Sequence, residues 1–322
     1  MRGILLERYV TADQLVVREV ERPQPAAGEV LVRVHAAGVN PADWHLMRGD
    51  PYLVRLVYGL RRPKFGVLGS DVAGTIESVG ANVTEFAPGD VVYSEVDTGG
   101  YAEYVAIEAQ HVARAPSNLT YEQAAAVPMA AMTALQSLRD AGRITAGHRV
   151  LVNGASGGIG TFAVQLATEL GASVTGVCST PNVELVRSLG AVDVIDYTRD
   201  DFTRGGDRYD VVLDLVGNRS LRDLARLVAP GGTYVAVGAG DGRWLGPIPR
   251  MIRMPFMRLR RVRMVPFLAR RSRADLDELR ERIEAGTLRP IVERAYPLDE
   301  TAAAVAHVES GRARGKVVIR VV

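Results

Sequence analysis

Apolar residues recur along this chain with two different periods, and the period changes partway. Up to about residue 107 the apolar runs are short and alternate or are rich in β-branched side chains: Gln14–Val20, Glu29–Ala36, Val72–Val79, Asp90–Val96 and Tyr101–Ile107. Turn residues separate them, among them Pro23, Pro25 and Gly28, then Pro88-Gly89-Asp90, then Gly99-Gly100. This spacing predicts short strands closing into a small, partly open barrel. The spacing turns helical near Tyr121, over Glu122–Val127 and Met129–Asp140, and the boundary of a first domain, 1–120, is placed there. Beyond it strands and helices alternate. Strand-like runs at Arg149–Asn153, Ala172–Cys178, Ala191–Ile195, Tyr209–Val216 and Thr233–Val237 are joined by helical sequence such as Thr161–Ala167 and Val183–Leu189. Five such strands predict an α/β domain with a doubly wound parallel sheet over 121–268. The amphipathic helix Ala274–Ala285, the helix Thr301–Glu309 and the strand Lys316–Val322 follow. They are expected to return to the first domain as 269–322.

Composition narrows the function. With 322 residues and 47% hydrophobic content the chain can fill two cores. A net charge of +2 gives no general case for nucleic acid. One cysteine, Cys178, allows no intrachain disulfide and no Cys-rich zinc site; at the end of a buried strand it reads as a core thiol. The start, Met1-Arg2-Gly3-Ile4, runs into strand-like sequence without a signal peptide. No apolar run reaches the ~18 residues of a membrane span. A cytoplasmic protein is expected.

The chemistry concentrates in Arg149–Gly160, where an apolar run ends in Asn153-Gly154-Ala155-Ser156-Gly157-Gly158-Ile159-Gly160 and a helix begins. Strand, glycine turn and helix is the context of a phosphate-cradling loop. Gly157 and Gly158 let backbone N–H groups approach a pyrophosphate, and Gly160 lets the helix lie close to its strand. The amides and positive end of the helix face the phosphates. The next strand, Ala172–Cys178, completes a βαβ unit of about thirty residues.

Several further motifs carry a resemblance. They are Ala36-Ala37-Gly38-Val39-Asn40-Pro41-Ala42-Asp43, Gly69-Ser70-Asp71-Val72-Ala73-Gly74, Pro88-Gly89-Asp90-Val91-Val92, Gly99-Gly100-Tyr101-Ala102-Glu103-Tyr104, Asn153–Gly160, Asp210–Gly217 and Gly315-Lys316-Val317-Val318-Ile319. Over nearly its full length the chain resembles the medium-chain dehydrogenase/reductase superfamily. It is most similar to the zinc-free branch of quinone oxidoreductases, zeta-crystallin and enone reductases. The resemblance implies a GroES-like barrel domain, a Rossmann domain, and an active site in the cleft between them.

Zinc needs thiolate, imidazole or carboxylate ligands in a tetrahedral array. Where zinc-using relatives carry a cysteine after Ala-Ala-Gly-Val, this chain has Asn40; their Gly-His-Glu reads Gly69-Ser70-Asp71; their four-cysteine lobe has no counterpart. His35, His45, His111, His148 and His307 show no ligand spacing. No metal is expected. Without a Lewis acid, alcohol oxidation becomes hard, whereas hydride addition to a quinone or to the β-carbon of an enone remains open. The protein must then orient the reactants and stabilise an enolate-like oxygen.

The resemblance implies catalytic roles for Asn40, His45 and Tyr52. Asn40 also reads as a turn residue before Pro41, His45 as a surface histidine, and Tyr52 stands one residue off the family position. It implies cofactor contacts from Thr133, Ala155, Ser156, Gly157, Gly158, Ile159, Ser179, Thr180, Asn182, Tyr197, Val216, Val237, Gly238 and Lys316; for Thr133 a plain buried helix residue is the other reading. NAD-preferring Rossmann proteins end the second strand in an acid that holds the ribose 2′-OH. Here that place reads Cys178-Ser179-Thr180-Pro181-Asn182, with no acid before Glu184, so NADPH is expected. Pro181 stands where relatives often carry Arg, and Tyr197, Arg187 or Arg199 can compensate.

The expected function is a zinc-independent, NADPH-dependent reductase of quinones or α,β-unsaturated carbonyls. An enoyl-thioester reductase and a nicotinamide-binding protein with little turnover are the alternatives. Pro51–Phe65, with Arg55, Arg61, Arg62 and Lys64, is expected to border the substrate cleft. Trp244–Arg273 contains nine of the 39 basic residues and none of the 37 acidic ones. Such a segment can lie on an anionic membrane, but Pro247, Pro249, Pro255 and Pro266 break any long helix. In relatives the strand at this place pairs with its two-fold mate across a dimer interface, so the resemblance implies a homodimer through Val262–Leu268, which is the favoured expectation.

Overall fold

The computed structural model describes residues 1–64, 66–237 and 262–322. They form two compact units, one of 1–132 with 271–322 and one of 133–270.

In the first unit β1 (Arg2–Ile4) pairs antiparallel with β2 (Val17–Glu19). The main sheet is built from β3 (Glu29–Val39), β4 (Asp71–Val79), β5 (Val91–Glu95), β6 (Tyr104–Glu108), β7 (Ala113–Arg114), β14 (Val292–Pro297) and β15 (Lys316–Arg320). Its order is β14-β15-β3-β4-β5-β7, with β6 also on β3. The long β3 has β4 on one edge. Glu29–Arg33 pairs with β6 and Ala36–Val39 with β15. Val317 lies opposite Val39, which places Lys316 beside Asn40. Alternating inward side chains such as Val30, Val32, Val34, Val72 and Ile319 form one core with Met47, Leu68 and Tyr101. Helices of this unit include α1 (Pro41–Arg48), α2 (Val54–Tyr58), α3 (Tyr121–Ala125) and the start of α4 (Pro128–Gln136). α1 and α2 fall in a stretch whose short apolar runs predict no helix.

In the second unit β8 (Arg149–Asn153), β9 (Ser173–Cys178), β10 (Asp193–Asp196), β11 (Tyr209–Asp214), β12 (Val228–Ala236) and β13 (Arg263–Pro266) form a six-stranded, wholly parallel sheet. The order is β10-β9-β8-β11-β12-β13. Counted within the unit this is 3-2-1-4-5-6, the Rossmann order, and the order in which strands are added reverses between β8 and β11. α5 (Gly158–Glu169), α6 (Val183–Ser188) and α7 (Leu221–Leu227) connect the strands. Gly160 permits the close crossing of α5: a Cβ there would stand 2.1 Å from the Gly154 carbonyl oxygen. Phe162 and Leu166 of α5 are buried, each contributing about 1.5–3 kcal/mol.

Three details depart from the sequence pattern. The chain enters the second unit at residue 133 rather than 121, because Ala124 and Ala125 of α3 are small enough to bury within the barrel unit. β12 begins at Val228 rather than Thr233, absorbing Pro230-Gly231-Gly232 as a register shift against β11. Met129–Asp140 is not one helix: α4 passes into a π-turn over Ser137–Gly142. The last two helices are α8 (Arg273–Glu284), which buries Leu276, Leu279 and Ile283 on one face, and α9 (Thr301–Glu309). No helix among the described residues is long and apolar enough to cross a membrane.

Candidate active site

In the second unit β8 delivers the glycine loop to the point where the strand order reverses. The loop is tied down from β9, where the Val177 carbonyl accepts from Gly154 N (3.2 Å) and Ala155 N (3.0 Å). Gly154, at φ +91, makes the turn. Gly157 is the N-cap of α5 with no side-chain cap, so the first helical amides keep no side-chain partner. A Cβ on Gly157 would meet only the Gly154 oxygen, at 3.4 Å. Nothing among the described residues requires glycine there, whereas a phosphate held close to the backbone would. Ser156, Gly157, Gly158 and Ile159 are half-buried, and Ala155 is buried beneath them. These residues fit a nucleotide pyrophosphate.

Asp214 at the end of β11 fixes the far side of the loop. Its carboxylate accepts from Asn153 Nδ2 (2.8 Å), Tyr234 OH (2.6 Å) and Gly217 N (2.9 Å). It thereby joins β8, β11 and β12 and presents Val216, which is exposed. Val237 N donates to the Asp214 carbonyl; Gly238 lies outside the described residues.

The end of β9 gathers Ser179, Thr180 and Asn182, with Asn182 Nδ2 donating to Ser179 Oγ at 3.2 Å. An acid does stand here, but it comes from the neighbouring strand. Asp196 pairs in register with Cys178. It accepts from Thr180 Oγ1 (2.5 Å), Thr198 Oγ1 (2.7 Å) and Thr198 N (3.0 Å). These donors hold its carboxyl below the usual carboxylate range. Arg199 Nε lies 3.5 Å from it, and Tyr197 beside it is half exposed. A search for an acid along β9 passes over Asp196; only strand register brings it here. Thr133 is buried in α4.

In the first unit Asn40 and Lys316 meet in a buried polar cluster. Asn40 precedes α1, and its N–H donates to Asp43 Oδ2 at 2.7 Å. Asn40 Nδ2 donates to Asp71 Oδ2 at 2.9 Å, and Asn40 Oδ1 accepts from Lys316 Nζ at 2.5 Å. An ammonium only donates and a carboxylate only accepts, so the amide has one orientation and one N–H left over. Lys316 Nζ also lies 3.4 Å from Asp71 Oδ2, and Met129 N donates to Asp71 Oδ1. Asp43 takes two further donors, Ser70 Oγ and Tyr101 OH, each at 2.7 Å. Burial nonetheless pushes Asp43 up to about 6. Asp71 is also raised by burial, against the pull of Lys316 and Asn40.

Glu95 of β5 lies opposite Asp71 in register, so the two carboxyls share a face of the sheet. Burial first, and the Asp71 charge second, push Glu95 up to about 8, against Arg271; it is an acid at neutral pH. No motif points to Glu95. His45 Nδ1 lies 2.7 Å from the Asp50 carbonyl oxygen, which fixes the proton on Nδ1 and leaves Nε2 as acceptor. Burial lowers its pKa, and its ring stacks on Trp44. The Arg55 guanidinium covers the Tyr52 ring at 4.7 Å. Asn40 and Lys316 thus share one cluster, and His45 and Tyr52 make other contacts.

Known sequences and structures place this geometry. Residues 26–117 match the model of the alcohol dehydrogenase GroES-like domain, and residues 189–319 match that of a zinc-binding dehydrogenase. Mouse (Mus musculus) mitochondrial NAD(P)H oxidoreductase RTN4IP1 is 34% identical over 333 residues, covering 91% of this chain and 82% of that protein. The chain belongs to the medium-chain dehydrogenase/reductase superfamily. Within the superfamily, tomato (Solanum lycopersicum) 2-methylene-furan-3-one reductase is 33% identical, covering 97% of this chain and 76% of its own length. The quinone oxidoreductase of Coxiella burnetii superposes with a TM-score of 0.89 at 26% identity, covering 100% of this chain and 99% of that one. This medium-chain reductase is therefore a nicotinamide-dependent oxidoreductase of the quinone and enone reductase branch. Its barrel unit is GroES-like and its parallel-sheet unit is the nucleotide-binding one.

Proposed function

We propose that the protein reduces quinones or α,β-unsaturated carbonyls with NADPH and without a metal. The observation that carries the reading is the cluster at Asn40 and Ser70. At the two positions where zinc relatives place cysteine and histidine, these side chains are hydrogen-bonded to Asp71, Lys316 and Asp43. Neither an amide nor a neutral hydroxyl is a good zinc ligand. A bound nicotinamide supplies the hydride. The amides of the glycine loop bind the pyrophosphate, and Ser179, Thr180, Asn182 and Tyr197 take the adenosine ribose. The remaining Asn40 N–H, held by Lys316 and Asp71, is offered to the acceptor's oxygen. The relatives named as NAD(P)H oxidoreductase and furanone reductase support this acceptor class.

NADPH is favoured because β9 itself ends without an acid. Asp196 is met by two hydroxyls, and Arg199, whose side chain is 73% exposed, can turn to a 2′-phosphate. A cytoplasmic location and a homodimer through Val262–Leu268 belong to the same reading. β13 is the outer strand of its sheet, with its second edge unpaired among the described residues. The test is steady-state oxidation of NADPH and of NADH against a panel of quinones and enones, with and without EDTA. Turnover that survives EDTA, with higher kcat/KM for NADPH, is expected. No turnover with any acceptor, or activity restored only by zinc, would overturn the reading. Light scattering should return a dimer mass; a monomer at micromolar concentration would exclude the interface.

A further inference from the structure

The short helix α2 is apolar on two sides. Val54 and Tyr58 pack against the barrel core. Leu56 and Val57 point away from it and are 62% and 68% exposed; Leu60, just beyond the helix, is 67% exposed, and Leu53 before it 36%. Apolar side chains on a second side of a helix need a partner besides its own core. The segment is firmly held. Arg55 Nε donates to the Gly49 carbonyl at 3.0 Å, and its terminal nitrogen donates to the Arg48 carbonyl at 2.9 Å. Its guanidinium lies over the rings of Tyr9 and Tyr52, and Tyr9 OH donates to the Gly59 carbonyl. The exposed leucines and valine therefore stand on a tethered platform.

Charge identifies the occupant. Residues 51–64 contain no acid. Arg61, Arg62 and Lys64 are exposed and form no ion pair among the described residues. A second copy of this chain docking about a two-fold axis would set these three cations against the same three. An anionic bilayer meets both features at once: apolar side chains enter the boundary between headgroups and acyl chains, and the cations stay at the phosphates.

We propose that residues 53–64 are a peripheral contact for an anionic lipid bilayer, with Leu56, Val57 and Leu60 inserted and Arg61, Arg62 and Lys64 on the lipid phosphates. The inference does not depend on which acceptor is reduced, and its test reads no turnover. The full chain is sedimented with sucrose-loaded vesicles, either of phosphatidylcholine alone or with about one third phosphatidylglycerol. Binding is expected only to the anionic vesicles, and it should fall steeply between 0.1 M and 1 M salt. Each cation near such a surface is worth about fivefold in partitioning. Arg61→Glu with Arg62→Glu should therefore weaken binding by at least about 25-fold, and Leu56→Ser with Val57→Ser should weaken it by a comparable factor. Val57→Trp should be quenched by brominated acyl chains in anionic vesicles. Failure of the wild type to sediment with anionic vesicles would overturn the proposal. So would binding that persists in both double variants, or an unquenched Val57→Trp that still sediments. A larger species in light scattering that collapses with Leu56→Ser and Val57→Ser would assign the patch to self-association instead.

Discussion

Glu95→Gln should stabilise the protein at high pH and leave it nearly unchanged at low pH. In the folded chain Glu95 is pushed from its ordinary 4.5 up to about 8, by burial and by Asp71 across the strand pair. Between those two values the folded protein holds a proton that the unfolded chain has released, so stability falls as pH rises through the window. One pKa unit is worth about 1.4 kcal/mol. The full displacement sets a ceiling of about 5 kcal/mol above pH 8, and because the carboxyl is only partly buried, about 2–3 kcal/mol is a realistic share. Glutamine is an uncharged mimic of the protonated acid. Wild type and variant should therefore unfold within about 0.5 kcal/mol of each other at pH 5 and diverge by about 2–3 kcal/mol in favour of the variant at pH 9. Guanidinium unfolding followed through Trp44 fluorescence, in a Trp244→Phe background, reads the barrel unit directly. A difference that stays flat from pH 5 to pH 9, or a variant less stable at pH 9, would refute the placement of a neutral acid beside Asp71.

Gly157→Asp should abolish cofactor binding while the thermal unfolding of the apoprotein stays put, because a Cβ fits there at 3.4 Å from its nearest neighbour; normal NADPH binding by calorimetry would remove the loop from the site. Lys316→Met should cost about 3–5 kcal/mol by leaving the Asp71 carboxylate buried without its cation, and adding Asp71→Asn should recover most of the loss; a denaturation cycle without coupling would refute the pairing. Asp196→Asn should raise kcat/KM for NADPH relative to NADH by roughly threefold to tenfold at low salt, and an unchanged ratio would take Asp196 out of the ribose site.

The nucleotide-binding unit was the most legible part of the chain. Its inner strands β8, β9 and β11 are almost wholly buried and read as near-continuous apolar runs, and the glycine loop follows one of them directly. All five expected strands are present, although β12 starts five residues early because a Pro-Gly-Gly turn can be absorbed as a register shift. The barrel unit was legible as a set of short strands, with gaps. β14 escaped notice because its pattern is weak: Glu293 and Arg294 face solvent. The polar clusters were hardest to see. Asp196 reaches Thr180 across 16 positions of sequence, Asp71 reaches Asn40 across 31, and Lys316 reaches Asn40 across 276. Periodicity reports which side of an element is buried; it does not report what two polar side chains meet when distant strands come into register. Asn40 and Lys316 were reached through motif resemblance, and Glu95, which lies in no motif, was not.

The closing strand of the barrel also sets an order of events during synthesis. Residues 133–270 are contiguous and contain every strand of the parallel sheet, so that unit can fold as soon as it has left the ribosome. The barrel cannot. Asp71 and Asn40 are made early, but the ammonium that balances them sits at residue 316, on the strand that β3 needs along Ala36–Val39. Until that strand arrives, packing the early strands would enclose a carboxylate without its cation, which disfavours premature closure. Strand β15, made long after β3, therefore acts as a latch. Residues 1–132 are expected to stay open while the nucleotide-binding unit forms, and to close once Lys316 has been made.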